Sequence, residues 1–261
     1  MVKRSRASKA LKGTYLALVL AFLYIPIVVM IVLSFNRSVS RAEWTGFTLD
    51  WYAKLFQSKQ IMAALRVTLE VALVATVASV IIGTLGAIGM HAMSSGMADM
   101  LNALSYLPMT TPDIVTGVSL MLMFVFTHIP MGKWTMLMAH IAFDTPYVLF
   151  SVMPKLRQMN PNLYEAALDL GCSPLKSLVK VIIPEISPGI VTGALLAFTM
   201  SLDDFVISYF TSNTDQNLAM IVYSAARRGV EPTMYALSTL MFVAIMALLL
   251  LVNRRNGLEN M

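Results

Sequence analysis

The sequence predicts an all-α, polytopic membrane protein of six membrane-crossing helices, and three observations carry that prediction. Of the 261 residues, 57% are hydrophobic and 13% are charged, with a mean hydropathy of +0.72, whereas a soluble domain carries roughly 25% charged residues. Most of the surface must therefore face lipid. Apolar runs long enough to cross a bilayer, which takes about 20 residues, recur at 14–35, 65–90, 103–127, 134–153, 186–210 and 233–252. Backbone groups inside a bilayer must be satisfied within each segment, so these runs are helices. No segment between them is long enough to fold alone, and no repeat or low-complexity stretch divides the chain. A single domain over 1–261 is predicted.

In order, the chain opens on Lys3, Arg4, Arg6, Lys9 and Lys12 before the first run. That run exceeds the roughly 7–15-residue core of a signal peptide and has no small-residue cleavage site. It reads as an uncleaved span with its amino end in the cytoplasm and a candidate kink at Pro26. Residues 36–60 carry Trp44, Phe47, Trp51, Tyr52, Leu55 and Phe56, the pattern of an interfacial amphipathic helix outside the membrane. In the second run, Gly83, Gly86 and Gly89 leave one flank where another helix packs closely. The third run is broken by Pro108 and Pro112. Breaks at membrane depth are tolerated where backbone is buried in protein or lines a cavity, so this region is a candidate part of a pathway.

The fourth run leads back to a cytoplasmic loop whose Lys155, Arg157, Lys176 and Lys180 fit the positive-inside rule. The fifth crosses outward, 211–232 lies outside, and the sixth ends at Arg254 and Arg255 inside, which places both termini in the cytoplasm. Arg227 and Arg228 are the main departure from the rule. The net charge of +5 belongs to these loops at an anionic leaflet. No basic patch with interleaved aromatics is present, which excludes nucleic acid as a partner. The one cysteine, Cys172, rules out an intrachain disulfide.

The polar stretch at 160–185 interrupts this apolar pattern. Asn160 and Pro161 read as an N-cap and first-turn proline for a short helix through Leu163, Ala166, Ala167 and Leu170. Gly171 stops it in the left-handed conformation, and Ser173-Pro174 offers a second start for a helix toward Pro184. The two alanines let another protein's surface approach the backbone, while Glu165 and Asp169 share one polar edge.

The order Glu165, Ala166, Ala167, Gly171, Val181, Ile183, Pro184 resembles the EAA loop of binding-protein-dependent ABC importer permeases, with Val181 and Ile183 where that family usually has Ile and Leu. The resemblance implies a type I ABC importer permease fold in which 160–184 forms the coupling helix. It assigns ATPase coupling to Glu165, Ala166, Ala167, Asp169, Gly171 and Pro184. ATP and its magnesium would be bound by a separate ATPase, because this chain has no G-x-x-x-x-G-K-[ST] loop.

Ionisable groups inside spans are costly and point to a partner or a water-filled cavity. Asp113 and Asp144 each lie roughly 15 Å along their spans at 1.5 Å per residue. Asp203 and Asp204, adjacent on a helix, are expected to point about 100° apart. Ser201 offers a hydroxyl beside them and Tyr209 an aromatic face for a cation. An acid-lined route suits an organic cation.

The segments at 201–210, 44–52 and 112–120 are similar to spermidine/putrescine importer permeases of the PotC type, and the likeness runs along essentially the whole chain. It implies roles for Asp113, Ser201, Asp203 and Asp204 in a polyamine route and for Trp44 and Trp51 in the outer region. It also implies a bacterial inner-membrane location, a PotB-type sister permease, a PotA-type ATPase dimer and a PotD-type binding protein. The competing expectation is an importer for an amino acid or sugar. An intramembrane aspartyl protease is opposed by the Thr-Pro-Asp, Phe-Asp-Thr and Leu-Asp-Asp contexts. A metal site is opposed by the scattered His91, His128 and His140; the i, i+4 pair His140 and Asp144 reads as a hydrogen-bonded core contact.

Overall fold

The computed structural model describes residues 6–259. Lys3 and Arg4, and the side chains of Arg6, Lys9, Arg254 and Arg255, lie outside the described residues. Regular structure among the described residues is helical, apart from one isolated antiparallel bridge between Asn36 and Phe47. The helices are α1 (Arg6–Leu33), α2 (Asp50–Gln57), α3 (Lys59–Ala92), α4 (Ser95–Thr110), α5 (Asp113–Phe126), α6 (Lys133–Gln158), α7 (Leu163–Asp169), α8 (Pro174–Ser177), α9 (Ile183–Asp203), α10 (Val206–Thr211), α11 (Leu218–Arg228) and α12 (Pro232–Glu259). The chain divides into two compact units, Met1–Met62 with Ala225–Met261, and Ala63–Ser224.

In the first unit, α12 packs against α1 and α2. Pro26 sits inside α1 without ending it. Residues 34–49 do not join the predicted interfacial helix, because buried Asn36 ties them into a loop. Its Nδ2 donates to Glu43 O at 2.8 Å, and its Oδ1 accepts from Ser38 N and Thr45 N at 3.2 Å each. Only α2 remains of that helix, with Leu55 as its buried anchor.

In the second unit, α6 is the central helix and packs against α4, α5, α9 and α10. Its Val148, fully buried, lies between two glycines on different helices. A Cβ on Gly83 of α3 would lie 2.8 Å from Val148 Cβ, and one on Gly193 of α9 would lie 3.0 Å from Val148 Cα. Gly86 also faces α6, through Leu149, whereas Gly89 faces open space. The predicted glycine flank therefore exists over its first two members.

Among the described residues, four helical segments are long and apolar enough to cross a membrane, and five if the bent pair α4 and α5 counts as one span. Pro232–Ala247, the continuous stretch of α12 whose side chains are described, is apolar too. The third predicted span is not a single axis, since α4 and α5 meet at 105°. Pro108 is accommodated inside α4. The break falls at Thr111, whose ψ of 136° is the extended conformation that a following proline enforces. Distance along one axis therefore does not give the depth of Asp113.

The fifth span also differs. Pro174–Asp203 runs as one 30-residue segment, so the second helix of the polar stretch continues into the membrane segment. A π-helical turn, Leu178–Ile182, precedes Pro184 and accommodates a residue that supplies no N–H to the ladder. The segment stops at Asp203 and does not reach 210, because Asp204 is extended with ψ 121°. Asp203 and Asp204 are thus not neighbours on one helix, and the expected 100° divergence does not apply.

Candidate functional site: a broken helix with buried acids

The break between α9 and α10 is held by side chains the sequence brings from three elements. Asp204 turns its carboxylate onto the start of α10, where Oδ1 accepts from Ile207 N at 3.1 Å and Oδ2 from Ser208 N at 2.7 Å. These are N–H groups that a new helix leaves without internal partners. Asn217 approaches from the loop before α11, its Nδ2 donating to Asp204 O at 2.7 Å and to Ser208 Oγ at 2.8 Å.

His140 of α6 completes the cluster. It is 2% exposed; its Nδ1 lies 2.6 Å from Ser201 Oγ and its Nε2 lies 2.9 Å from Ser208 Oγ. Asp204 Oδ2 is 3.4 Å from the same Nε2. A carboxylate beside Nε2 favours the tautomer with its proton there, and Nδ1 then accepts from the Ser201 hydroxyl. The sequence reading paired His140 with Asp144. Instead His140 reaches across to α9 and α10, and Asp144, one turn along α6, is 0% exposed with neither carboxylate oxygen hydrogen-bonded.

Asp203 stands at the last position of α9 and is exposed. Beyond it an aromatic surface begins: Phe205 stacks on Tyr223 with centroids 4.0 Å apart, and Tyr209 lies 5.4 Å from Phe205. Asp113 is exposed in the first turn of α5. Four residues on, Gly117 lets α5 approach α10 so closely that a Cβ there would be 3.1 Å from Phe210 Cδ2. Exposed carboxylates and aromatic faces are the two kinds of group that attract an organic ammonium group. Ser201 and Asp204 are buried structural neighbours of that surface. Sequence reasoning gave His140 to the wrong partner and missed Phe205, Asn217 and Tyr223; the asparagine before an amphipathic helix was a readable capping signal for α11.

Trp44 and Trp51 belong to the first unit. Trp44 is exposed. Trp51 Nε1 donates to Asn36 O at 2.7 Å, and Lys54 Nζ lies 4.4 Å over its ring, so its indole is engaged in the loop.

The polar stretch folds as two short helices around a glycine turn. Asn160 does not cap the first; its Oδ1 accepts from Asn162 N at 3.0 Å, and α7 starts after Asn162. At the other end Gly171 has φ +85°. Cys172 N donates to Ala167 O at 3.1 Å and Gly171 N to Leu168 O at 2.8 Å, the paired bonds of a Schellman motif. Glu165, Ala166, Asp169 and Pro184 are exposed, while Ala167 faces inward at 7% exposure. Only one of the two alanines is therefore available to an incoming surface. Leu170 is 88% exposed and Leu175 71%, an apolar rim beside the acidic edge. Behind the loop lies a cavity of about 550 Å³ lined by Ile88, His91, Leu156, Tyr164, Pro174 and Leu175 among others.

Comparison with known proteins places this architecture. Residues 79–255 match the family described as binding-protein-dependent transport system inner membrane component. The chain is 35% identical over 251 residues to the spermidine/putrescine transport system permease protein PotC of Haemophilus influenzae, covering 95% of this chain and 98% of that one. It is 38% identical over 236 residues to the putrescine transport system permease protein PotI of Escherichia coli K12, covering 86% of this chain and 83% of that one. A solved bacterial ABC transporter that imports the acidic polysaccharide alginate superposes with a TM-score of 0.74 at 17% identity, over 100% of this chain and 97% of that one. An amino acid ABC transporter superposes with a TM-score of 0.57 at 20% identity, over 80% of this chain and 100% of that one. These two likenesses concern the fold alone. With a family match over most of its length and full-length relatives above 30% identity, the chain belongs to the binding-protein-dependent transport inner-membrane family, as a multi-pass, non-catalytic ABC importer permease that works with an ATPase and a periplasmic binding protein.

Proposed function

We propose that this permease imports polyamines, spermidine or putrescine, as one half of a membrane pathway whose other half is a PotB-type subunit. The observation that carries the substrate class is the similarity to PotC along 95% of the chain. The acids and aromatics at the break support it. A polyamine presents ammonium groups separated by methylenes; the exposed Asp203, two residues before Phe205, and the cluster of Phe205, Tyr209 and Tyr223 offer a charge and aromatic faces of matching character. Asp113 offers a second exposed acid, and Asp144 a buried one that a conformational change would open. Trp44 and Trp51 belong to the outer region in this reading.

The whole chain 1–261 acts as one permease domain with six crossings: α1, α3, the bent pair α4 and α5, α6, the segment from α8 through α9, and α12. Both termini then lie in the cytoplasm, with residues 160–184 on the same side. Glu165, Ala166, Asp169, Gly171 and Pro184, with Ala167 as an inner support, form the coupling element that docks on a PotA-type ATPase dimer. A PotD-type binding protein delivers substrate on the outer face. ATP closure moves the coupling elements, and the pathway alternates between its two openings.

The test is reconstitution of the four components in lipid, measuring ATP hydrolysis against added solute. Spermidine or putrescine is expected to stimulate it through the loaded binding protein. Stimulation by an amino acid or an oligosaccharide, with neither polyamine effective, would assign the chain to another substrate.

A further inference from the structure

We propose that His140 is a positioning residue for transport: it fixes the break between α9 and α10 and thereby sets the place of the Asp203 carboxylate. The inference rests on the reading of Asp203 as part of the polyamine route. Among the described residues, His140 is the α6 side chain whose hydrogen bonds reach both sides of the break, to Ser201 two residues before Asp203 and to Ser208 in α10. It is 2% exposed, as is Ser201, and Ser208 is fully buried, so water does not substitute for a lost bond. Asp204 occupies the same corner, spending both oxygens on α10 and its carbonyl on Asn217. With those groups committed, the imidazole is the group of α6 that ties Ser201 in the last turn of α9 to Ser208 in α10. The last residue of α9, Asp203, moves with that turn.

The role differs from mere filling of the core. A leucine at 140 occupies the space but joins nothing, whereas a glutamine carries both a donor and an acceptor and can bridge the two serines.

The experiment uses the reconstituted four-component transporter with His140→Leu, His140→Gln, Ser201→Ala and Ser208→Ala. Uptake is measured for KM and maximal rate, and co-purification of the partners for assembly. His140→Leu is expected to raise the polyamine KM roughly tenfold, the effect of misplacing one charged contact. His140→Gln should restore most of it, and each serine variant, which changes little volume, should reproduce part of it. In parallel, Asp203→Cys in a Cys172→Ser background reports the break directly through its labelling rate by a cationic thiol reagent. His140→Leu should change that rate severalfold and His140→Gln should not.

Leucine and glutamine behaving alike in labelling, or both serine variants matching the parent, would overturn the positioning role. A changed labelling rate with unchanged KM would instead leave His140 as the organiser of the break and remove Asp203 from the polyamine route.

Discussion

Gly193 of α9 presses directly on Val148 of α6: a side-chain carbon added to the glycine would sit 3.0 Å from Val148 Cα and 3.2 Å from its Cγ1. Gly83 of α3 approaches the same valine more closely still, with an added carbon 2.8 Å from its Cβ. Three helices of the second unit thus meet at one residue with no room for a methyl group. In a bilayer, where lipid tails remove the usual hydrophobic drive for helices to associate, such close approach supplies much of the packing energy.

Gly193→Leu should therefore drive α9 off α6 and destabilise the protein by about 1–3 kcal/mol or more, the cost of overpacking. Gly89→Leu, which meets open space, should change little. Thermal unfolding of the two purified variants in detergent separates them, and equal melting temperatures would contradict the described contact.

Asp203 and Asp204, neighbours in sequence, should fail in different ways. Asp203→Asn is expected to leave assembly intact and reduce polyamine uptake roughly tenfold, because an exposed charge is lost without loss of a fold contact. Asp204→Ala removes the acceptors for Ile207 N and Ser208 N and should cost about 1–2 kcal/mol of stability. Uptake kinetics and a melting curve on each variant make the distinction; identical profiles would show that the two acids share one role.

The long apolar helices were legible from hydropathy alone, because a bilayer leaves few other ways to satisfy their backbone. The glycine turn at Gly171 was equally legible, and its φ of +85° is the conformation expected of a glycine after a helix. The two breaks were read less well. Pro108 and Pro112 look alike in sequence, but only Pro112 acts through its predecessor, so the chain bends at Thr111. The break at Asp204 was missed altogether. Ser-Leu-Asp-Asp-Phe continues a helical pattern, and the groups that stabilise the break, His140 and Asn217, are 64 and 13 residues away in sequence, measured from Asp204. His140 itself was assigned to Asp144 on its i, i+4 spacing, since spacing carries no information about a stronger partner on another helix.

Gly171→Val should uncouple transport. No atom stands within 4 Å of an added Cβ, so the effect comes from backbone strain at positive φ, on the order of 1–2 kcal/mol for a residue with a side chain and more for a branched one. The variant should insert normally yet lose polyamine-stimulated ATP hydrolysis. Stimulation at the parent level would exclude the turn from coupling.

Cys172 is a native reporter for the same loop, as the chain has no other cysteine and this thiol is partly exposed. A membrane-impermeant maleimide should label it in inside-out vesicles and not in intact cells, and added ATPase subunit should slow the labelling severalfold. Labelling from the periplasmic side would invert the proposed topology.

The central claim is that this permease moves polyamine cations past Asp203 at the expense of ATP hydrolysed by a partner. It is tested most directly by uptake of radiolabelled spermidine and putrescine into proteoliposomes holding the permease pair, with the ATPase and ATP inside and the loaded binding protein outside. The account predicts ATP-dependent accumulation of at least one polyamine, cut roughly tenfold by Asp203→Asn. No ATP-dependent accumulation of either polyamine, or accumulation indifferent to Asp203→Asn, would contradict it.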